Sequence, residues 1–158
     1  MDPNTISLRH TLATLAYRAN RAVRNAPPEF GTFQLGKATR FPVTILAHMG
    51  DLMDWALSIA NDKQAWHVST PLPWDQEVAR FFAALTALDA RLASETPIAC
   101  SKERLFQGPI ADALTHVGQI AMFRRLAKCS AGGENYFVAN IETGRVGRDQ
   151  ASPIREFE

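Results

Sequence analysis

Four stretches of helical hydrophobic periodicity constrain the fold of this chain more than any other feature. Apolar residues recur at three- and four-residue steps over residues 4–24, 42–60, 74–96 and 109–128. None of these stretches shows the sustained alternation of apolar and polar residues that is typical of a strand. Helices with a single apolar stripe bury it most economically against one another, so the sequence predicts an all-α four-helix bundle.

Prolines and glycine mark the ends of the predicted helices. The pair at 27–28 stops the first helix, and Pro42 suits the first turn of the second. A Pro-Leu-Pro break at 71–73 precedes the third helix. Lys128 and Gly132 supply the basic last turn and the glycine that commonly follow a helix, here the fourth.

Two further segments are predicted to pack on the bundle. The first connection, residues 25–41, is longer than most loops in compact domains, and its apolar side chains predict a crossover that covers the helices. Residues 129–158 are too apolar for a solvated tail, which predicts an ordered C-terminal extension with a short helical turn over residues 135–142. We therefore interpret residues 1–158 as one domain, with core helices over residues 4–128. The apolar residues in question are Phe30, Phe33 and Leu35 in the connection, and Tyr136, Phe137, Val138, Ile141, Val146 and Phe157 in the extension.

Composition excludes several classes of partner. The 158 residues include 17 basic and 16 acidic side chains, a net charge of +1, so nothing favours nucleic acid or an anionic membrane surface. No apolar run reaches the roughly 18–20 residues of a membrane span, and the N-terminus lacks the pattern of a secretory signal. Cys100 and Cys129 are too few for a disulfide framework, which favours a reducing cytoplasm.

The histidines differ in their predicted surroundings. His10 lies among polar residues and His67 in a connection, and both are predicted to be exposed surface residues. His48 lies within the apolar arc of the second helix and is predicted to point inward, where an imidazole needs a partner. Asp51 follows one turn later, at the edge of the same arc.

The fourth helix places several side chains of ligand type on one line. Asp112, His116, Gln119 and Phe123 stand at i, i+4, i+7 and i+11, and Asp112 is the only formal charge between positions 108 and 123. A carboxylate in a largely buried helix is costly unless it is paired or metal-bound. Two ligands at i, i+4 can reach one ion, and an inward His48 from the facing helix would complete a three-ligand site. The alternatives are a hydrogen-bonded core histidine and a simple i, i+4 pair on the helix surface.

Two short segments resemble the DinB-like superfamily, which includes the bacillithiol transferases and the mycothiol-dependent maleylpyruvate isomerases. They are ILAHM at 45–49 in the second helix and THVGQI at 115–120 in the fourth. Members of this superfamily are four-helix bundles that often hold a divalent metal with three histidines. One histidine comes from the second helix and two come from the fourth, in an H-x-x-x-H arrangement that commonly continues as R-G-Q.

The resemblance implies a ligand set and an activity. His48 matches the first ligand and His116 the last, whereas Asp112 stands where the family has histidine and Val117 where it has arginine. Two histidines and a carboxylate with open positions suit Zn, Ni, Fe or Mn. The resemblance then implies transfer or isomerisation of a small-molecule substrate with a low-molecular-weight thiol, in a homodimer, and a metal-dependent hydrolase is the alternative activity. The alternative is a non-catalytic stress-related or ligand-binding bundle with a degenerate metal site.

Other polar residues are weaker candidates for catalysis. Gln119 could orient a water at the metal or only extend a polar stripe. Glu134 and Tyr136 follow a flexible Gly-Gly junction and could line a pocket, although a surface loop is the ordinary interpretation. The arginines at 124–125, 145 and 148 could attract an acidic substrate, but we expect them to be solvated. No motif for nucleotide binding or serine hydrolysis is present.

Overall fold

The computed structural model describes residues 2–37 and 39–157 and has the predicted all-α bundle architecture. Three long helices come first, and the last one is preceded by a short helix and a π-helical turn. The elements are α1 (Pro3–Val23), a 3₁₀ turn (Pro28–Thr32), α2 (Pro42–Ala60), α3 (Trp74–Ala93), α4 (Lys102–Leu105), the π turn (Phe106–Ile110), α5 (Ala111–Leu126), β1 (Gly133–Glu134) and β2 (Glu156–Phe157).

The four long helices bury their apolar stripes against two neighbours each. α2 packs on α3 and α5, and α1 packs on the same two helices from the other side. Complete burial of a large apolar side chain contributes roughly 1.5–3 kcal/mol, so this core is the main source of stability. Its largest fully buried members are Leu12, Leu15, Leu46, Met49, Met53, Phe81, Leu85, Leu88, Leu92, Leu105, Ile110 and Ile120. No helix among the described residues is both long and apolar enough to cross a membrane.

The approach to the last helix differs from the prediction. Helical structure begins at Lys102 rather than at Pro109, with the Ser101 hydroxyl accepting from the Arg104 backbone N–H as an N-cap. Gly108 then leaves helical geometry (φ −89°, ψ −105°), and Pro109 lies inside the π turn that follows α4. The sequence pattern missed α4 because four residues are too few to display an amphipathic stripe.

The first connection packs on the bundle as predicted, except for one residue. Phe30 is buried edge-to-face against Trp74, with ring centroids 5.1 Å apart. Phe33 makes a similar contact with Phe123 on α5, at 6.2 Å. Leu35 is exposed, so the crossover is held by its two aromatic rings.

The C-terminal segment packs on the bundle mainly through its contacts with α1. Val146 is buried in the core cluster, and β1 pairs with β2 in antiparallel register. The predicted helical turn over residues 135–142 is wrong: the chain forms turns with i to i+3 hydrogen bonds there. Phe137 is 97% exposed and Phe157 is also exposed, so the apolar residues of this segment are not uniformly buried.

Candidate metal centre

Helices α2 and α5 bring together the three residues predicted as ligands. His48 Nε2 lies 3.5 Å from Asp112 Oδ2, and His116 Nε2 lies 3.4 Å from Asp112 Oδ1. The two imidazole rings meet edge-to-face, with centroids 4.9 Å apart. One ligand atom from each residue lies within 4.8 Å of the others. The packing of α2 on α5 thus supplies the proximity that spacing along the chain could not establish.

These separations suit a transition-metal ion. Bonds of about 2.1 Å in tetrahedral geometry place neighbouring ligand atoms about 3.4 Å apart. The two carboxylate–imidazole distances are close to this value, but each is to a different oxygen of Asp112, so a small rotation of the side chains would bring three ligand atoms around one ion. Two neutral nitrogens and one carboxylate oxygen form a donor set that binds Zn, Fe, Mn or Ni. The residues present therefore fit a divalent ion.

The prediction that Asp112 is buried is wrong. Its side chain is 47% exposed, that of His48 is 28% exposed, and that of His116 is only 11% exposed. The core-facing residues of α5 are Ala113, Val117 and Ile120, which places Asp112 at the edge of the helix–helix interface. The cost of burying a carboxylate consequently gives no reason to expect a metal, and the site is open to solvent on the Asp112 side.

Gln119 contacts a candidate ligand directly. Its Oε1 lies 2.8 Å from His116 Nδ1, and an oxygen at that position accepts a hydrogen bond from the Nδ1–H tautomer of the ring. A histidine that ligates a metal through Nε2 commonly donates its other ring N–H to such an acceptor. Gln119 therefore holds the His116 ring in the orientation that leaves Nε2 directed at Asp112.

The connection between α2 and α3 adds an aromatic wall beside His48. Trp66 stands edge-to-face against His48 at 5.8 Å and against Trp55 at 5.6 Å. The indole of Trp66 is nevertheless about half-exposed. The site thus has an aromatic side next to one ligand and an open side at Asp112.

A second group of ligand-type residues lies one turn further along α2. Asp51, Asp54 and His67 also bring ligand atoms within 4.8 Å of one another. His67 is exposed as predicted, and its Nε2 lies 3.3 Å from Asp51 Oδ1 and 3.7 Å from Asp54 Oδ2. Asp51 is buried and also accepts from the Ser69 backbone N–H and hydroxyl.

The second group already contains a cation. The guanidinium of Arg80 lies 3.1 Å from Asp51 and 3.2 Å from Asp54, and its Nε donates to the buried Glu77. A side chain at Gly50 would collide with this guanidinium, so the glycine makes room for it. Burial opposes the charged form, but the hydrogen bond and charge of Glu77 outweigh it and raise the pKa of Arg80. Arg80 therefore bridges Asp51 and Asp54, the two carboxylates that a metal at this group would need.

The weaker candidates Glu134 and Tyr136 lie elsewhere. Glu134 is buried, contrary to the surface-loop interpretation, and accepts a hydrogen bond of 2.6 Å from the Tyr17 hydroxyl. Tyr136 packs edge-to-face on Tyr17, with the guanidinium of Arg18 over its ring. Burial and the hydrogen bond to Glu134 raise the pKa of Tyr17 to about 12. Both candidates therefore contact α1 and do not join the group formed by His48, Asp112 and His116.

One predicted surface arginine is buried. Arg124 donates through Nη1 to the carbonyl oxygens of Ala22 and Arg24, at 3.1 and 2.8 Å, and so holds the end of α1 against α5. Arg125 and Arg148 are exposed, as expected for solvated arginines.

No protein-family model, curated protein or solved structure matches this chain. The interpretation of the site therefore depends on its geometry. Sequence reasoning missed Arg80, Asp54 and Ser69, whose roles depend on the packing of α3 and the preceding connection against α2. The one local indication was Gly50. A glycine in the middle of an apolar helix commonly leaves room for a closely packed neighbour, which here is Arg80.

Proposed function

We propose that this protein is a divalent-metal-dependent enzyme of the DinB-like type, with His48, Asp112 and His116 as metal ligands. One observation supports it above the others: three ligand atoms from two helices lie close together, with no cation among the described side chains around them. The neighbouring group shows the contrast, because Arg80 already supplies its positive charge.

Each residue has a defined part in this proposal. His48 and His116 supply neutral nitrogens, Asp112 supplies the negative charge, and Gln119 keeps the His116 ring oriented. A bound divalent ion supplies Lewis acidity, which lowers the pKa of a thiol or water at the site. Trp66 gives the substrate an aromatic surface next to His48, and the exposed edge at Asp112 gives it access.

The proposed reaction is transfer or isomerisation with a low-molecular-weight thiol as co-substrate. This chemistry suits a reducing cytoplasm, and neither Cys100 nor Cys129 forms a disulfide. Burial raises the pKa of Cys100, so its thiol stays protonated and is a poor nucleophile. We propose, with the resemblance, that the enzyme acts as a homodimer, which light scattering at micromolar concentration tests against the monomer mass of 17.5 kDa.

A metal titration of untagged protein tests the ligand set. Wild type is expected to bind one equivalent of Zn or Mn, and to release it as the pH is lowered, since a protonated imidazole cannot ligate. Asp112→Asn keeps the size of the side chain but removes its charge, so metal affinity should fall at least tenfold. The melting temperature of the metal-free protein should barely change, because an exposed i, i+4 pair contributes roughly 0.2–0.5 kcal/mol.

Two further variants make the titration decisive. Asp112→His restores three histidines and should retain metal, with preference shifted towards softer ions such as Zn. His67→Ala is the matched control, because it removes a histidine from the neighbouring group and should leave affinity unchanged. If Asp112→Asn binds as tightly as wild type, or His67→Ala weakens binding as much, the ligand set is wrong. Stoichiometric metal without metal-dependent consumption of added thiols and electrophiles would instead indicate a non-catalytic bundle.

A further inference from the structure

A cavity lies on the side of α5 that faces away from the candidate metal centre. It has a volume of about 270 Å³ and lies between α1, α5 and the segment that leads into β1. Val117, Gly118 and Ala121 line it from α5. At 100° per residue these positions point away from Asp112 and His116, which stand on the α2 side. The volume is just below the roughly 300–1,000 Å³ of pockets for drug-sized ligands, so it suits a small molecule.

Four guanidinium groups line this cavity. They belong to Arg18 and Arg21 on α1 and to Arg124 and Arg125 on α5, and the only carboxylate among the lining residues is that of Glu134. The lining therefore carries four positive charges against one negative charge. Glu156, at the edge, pairs with Arg21 at 2.7 Å and with Arg24 at 3.7 Å. With Glu156 counted, four positive charges face two negative charges, so the cavity has a net positive charge of its own in a protein whose net charge is only +1.

Two of these arginines are almost completely buried and have unused hydrogen-bond donors. Arg21 is 5% exposed and Arg124 is 4% exposed. Nε and Nη1 of Arg21 and Nε of Arg124 make no hydrogen bond to any described residue, although Arg21 Nη1 lies 3.4 Å from Glu134 Oε2. Buried charged groups are normally paired and hydrogen-bonded, because desolvation is otherwise costly. These three atoms have almost no accessible surface, so Arg21 and Arg124 contribute positive charge to the cavity rather than hydrogen bonds to a ligand in it.

The remaining lining gives the cavity a defined shape. The Arg18 guanidinium stacks on the Tyr136 ring at 4.5 Å from its centroid, which restricts where that charge can lie. Gly132 has a positive φ of +76°, and a side chain at Gly133 would collide with Phe157, so both glycines are needed for the turn into β1. A side chain at Gly118 would meet nothing within 4 Å, which leaves the cavity open on the α5 side.

We propose that this cavity binds the phosphate group of a small molecule, independently of the metal centre. Arg18 and Arg125, which are exposed, contact the phosphate oxygens at the mouth, and the buried Arg21 and Arg124 supply charge from behind. Guanidinium groups recognise phosphate through paired N–H donors. Four positive charges against the two negative charges of Glu134 and Glu156 favour a dianionic phosphate over a singly charged carboxylate. The apolar side chains of Ala22, Val117 and Ala121 take the remainder of the ligand.

Calorimetric titration of protein stripped of metal on a chelating resin tests the proposal. Inorganic phosphate and pyrophosphate are the probes, and acetate and succinate are the carboxylate comparison. Saturable one-to-one binding of a phosphate probe, tighter than that of either carboxylate, is expected. Arg125→Gln and Arg18→Gln should each weaken binding by roughly tenfold, the value of one charge-assisted hydrogen bond. Arg148→Gln is the control, since Arg148 is exposed and lies outside the cavity lining.

A cavity-filling variant separates the pocket from general surface charge. Gly118→Leu changes no charge, its Cβ meets nothing within 4 Å, and it replaces a helical glycine, so the melting temperature should not fall. Phosphate binding should nevertheless be lost, because the leucine occupies the cavity. The proposal is overturned if Gly118→Leu binds phosphate like wild type, if Arg148→Gln weakens binding as much as Arg125→Gln, or if a carboxylate binds as tightly as phosphate. The protein is metal-free throughout, so none of these outcomes depends on the metal centre.

Discussion

Two groups of histidine and carboxylate side chains lie about one turn apart along α2, and among the described side chains only one of them contains a cation. The group of His48, Asp112 and His116 has no cation among its described neighbours, whereas that of Asp51, Asp54 and His67 surrounds the guanidinium of Arg80. Both bring their ligand atoms within 4.8 Å. The difference teaches that ligand type and proximity are insufficient evidence for a metal site, because a neighbouring guanidinium can already lie between the carboxylates that an ion would bind.

Removal of the internal cation should have the largest effect. Arg80→Ala leaves the buried carboxylates of Asp51 and Glu77 without their partner and should lower the free energy of unfolding by roughly 3 kcal/mol or more. Urea denaturation of the metal-free protein measures this. Arg148→Ala, at an exposed position, should change stability by less than about 0.5 kcal/mol. An equal effect of the two substitutions would show that the Arg80 pairs do not stabilise the fold.

Removal of Gln119, the hydrogen-bond partner of His116, should have an intermediate effect, and that effect should be on metal affinity. Gln119→Ala removes the acceptor that orients the ring and should weaken metal binding by roughly 10–100-fold. Ser69→Ala removes a comparable contact from Asp51 in the other group and should leave metal affinity unchanged while costing about 1 kcal/mol of stability. Competition titration against a chromophoric chelator measures both affinities. Weaker metal binding in Ser69→Ala would mean that the two groups do not act separately.

The smallest effect concerns the pH dependence of the second group. Burial raises the pKa of Asp54 despite the opposing charges of Arg80 and His67, so the folded state holds this proton more firmly than the unfolded state. The resulting stabilisation is present below the unfolded pKa of about 3.9 and is lost as the pH rises through the folded value.

Asp54→Asn mimics the protonated carboxyl and therefore tests whether protonation of Asp54 stabilises the folded state. The variant should equal wild type in stability near pH 3 and exceed it at pH 7. The gain should stay below about 1 kcal/mol, because the side chain is 35% exposed. Thermal melts across this range measure the difference. A variant that is less stable than wild type at pH 7 would show that the attraction of Arg80 outweighs burial.

The fold was largely predictable because each long helix has a continuous apolar stripe. The bounds of α2 and the start of α3 follow directly from Pro42 and from the break before Trp74. α4 and the π turn were missed because four residues cannot show periodicity, and Gly108 and Pro109 suggested a helix start. The exposed Phe137 shows the limit of composition, since an apolar residue in a segment does not establish that it is buried.

The candidate site was predictable only in part. The i, i+4 spacing of Asp112 and His116 is local, so the sequence contains it, whereas the approach of His48 depends on how α2 packs against α5. The burial of Asp112 was predicted wrongly because a helix with few charges need not be buried on every side. Arg80 lies on α3, remote in sequence from both carboxylates of α2, and no local pattern predicts their contact.

The connection between α2 and α3 joins the two groups through adjacent residues. Trp66 contacts His48, and the next residue, His67, contacts Asp51 and Asp54. Because Trp66 and His67 are joined by one peptide bond, a displacement of either residue also moves the other. Thermodynamic linkage makes any such coupling reciprocal: the factor by which docking of His67 changes the affinity for a ligand beside Trp66 equals the factor by which that ligand changes the docking of His67. A segment that looks like an ordinary loop thus gives the protein a means to connect binding of a substrate at Trp66, rather than binding of the metal, with the order of the second group.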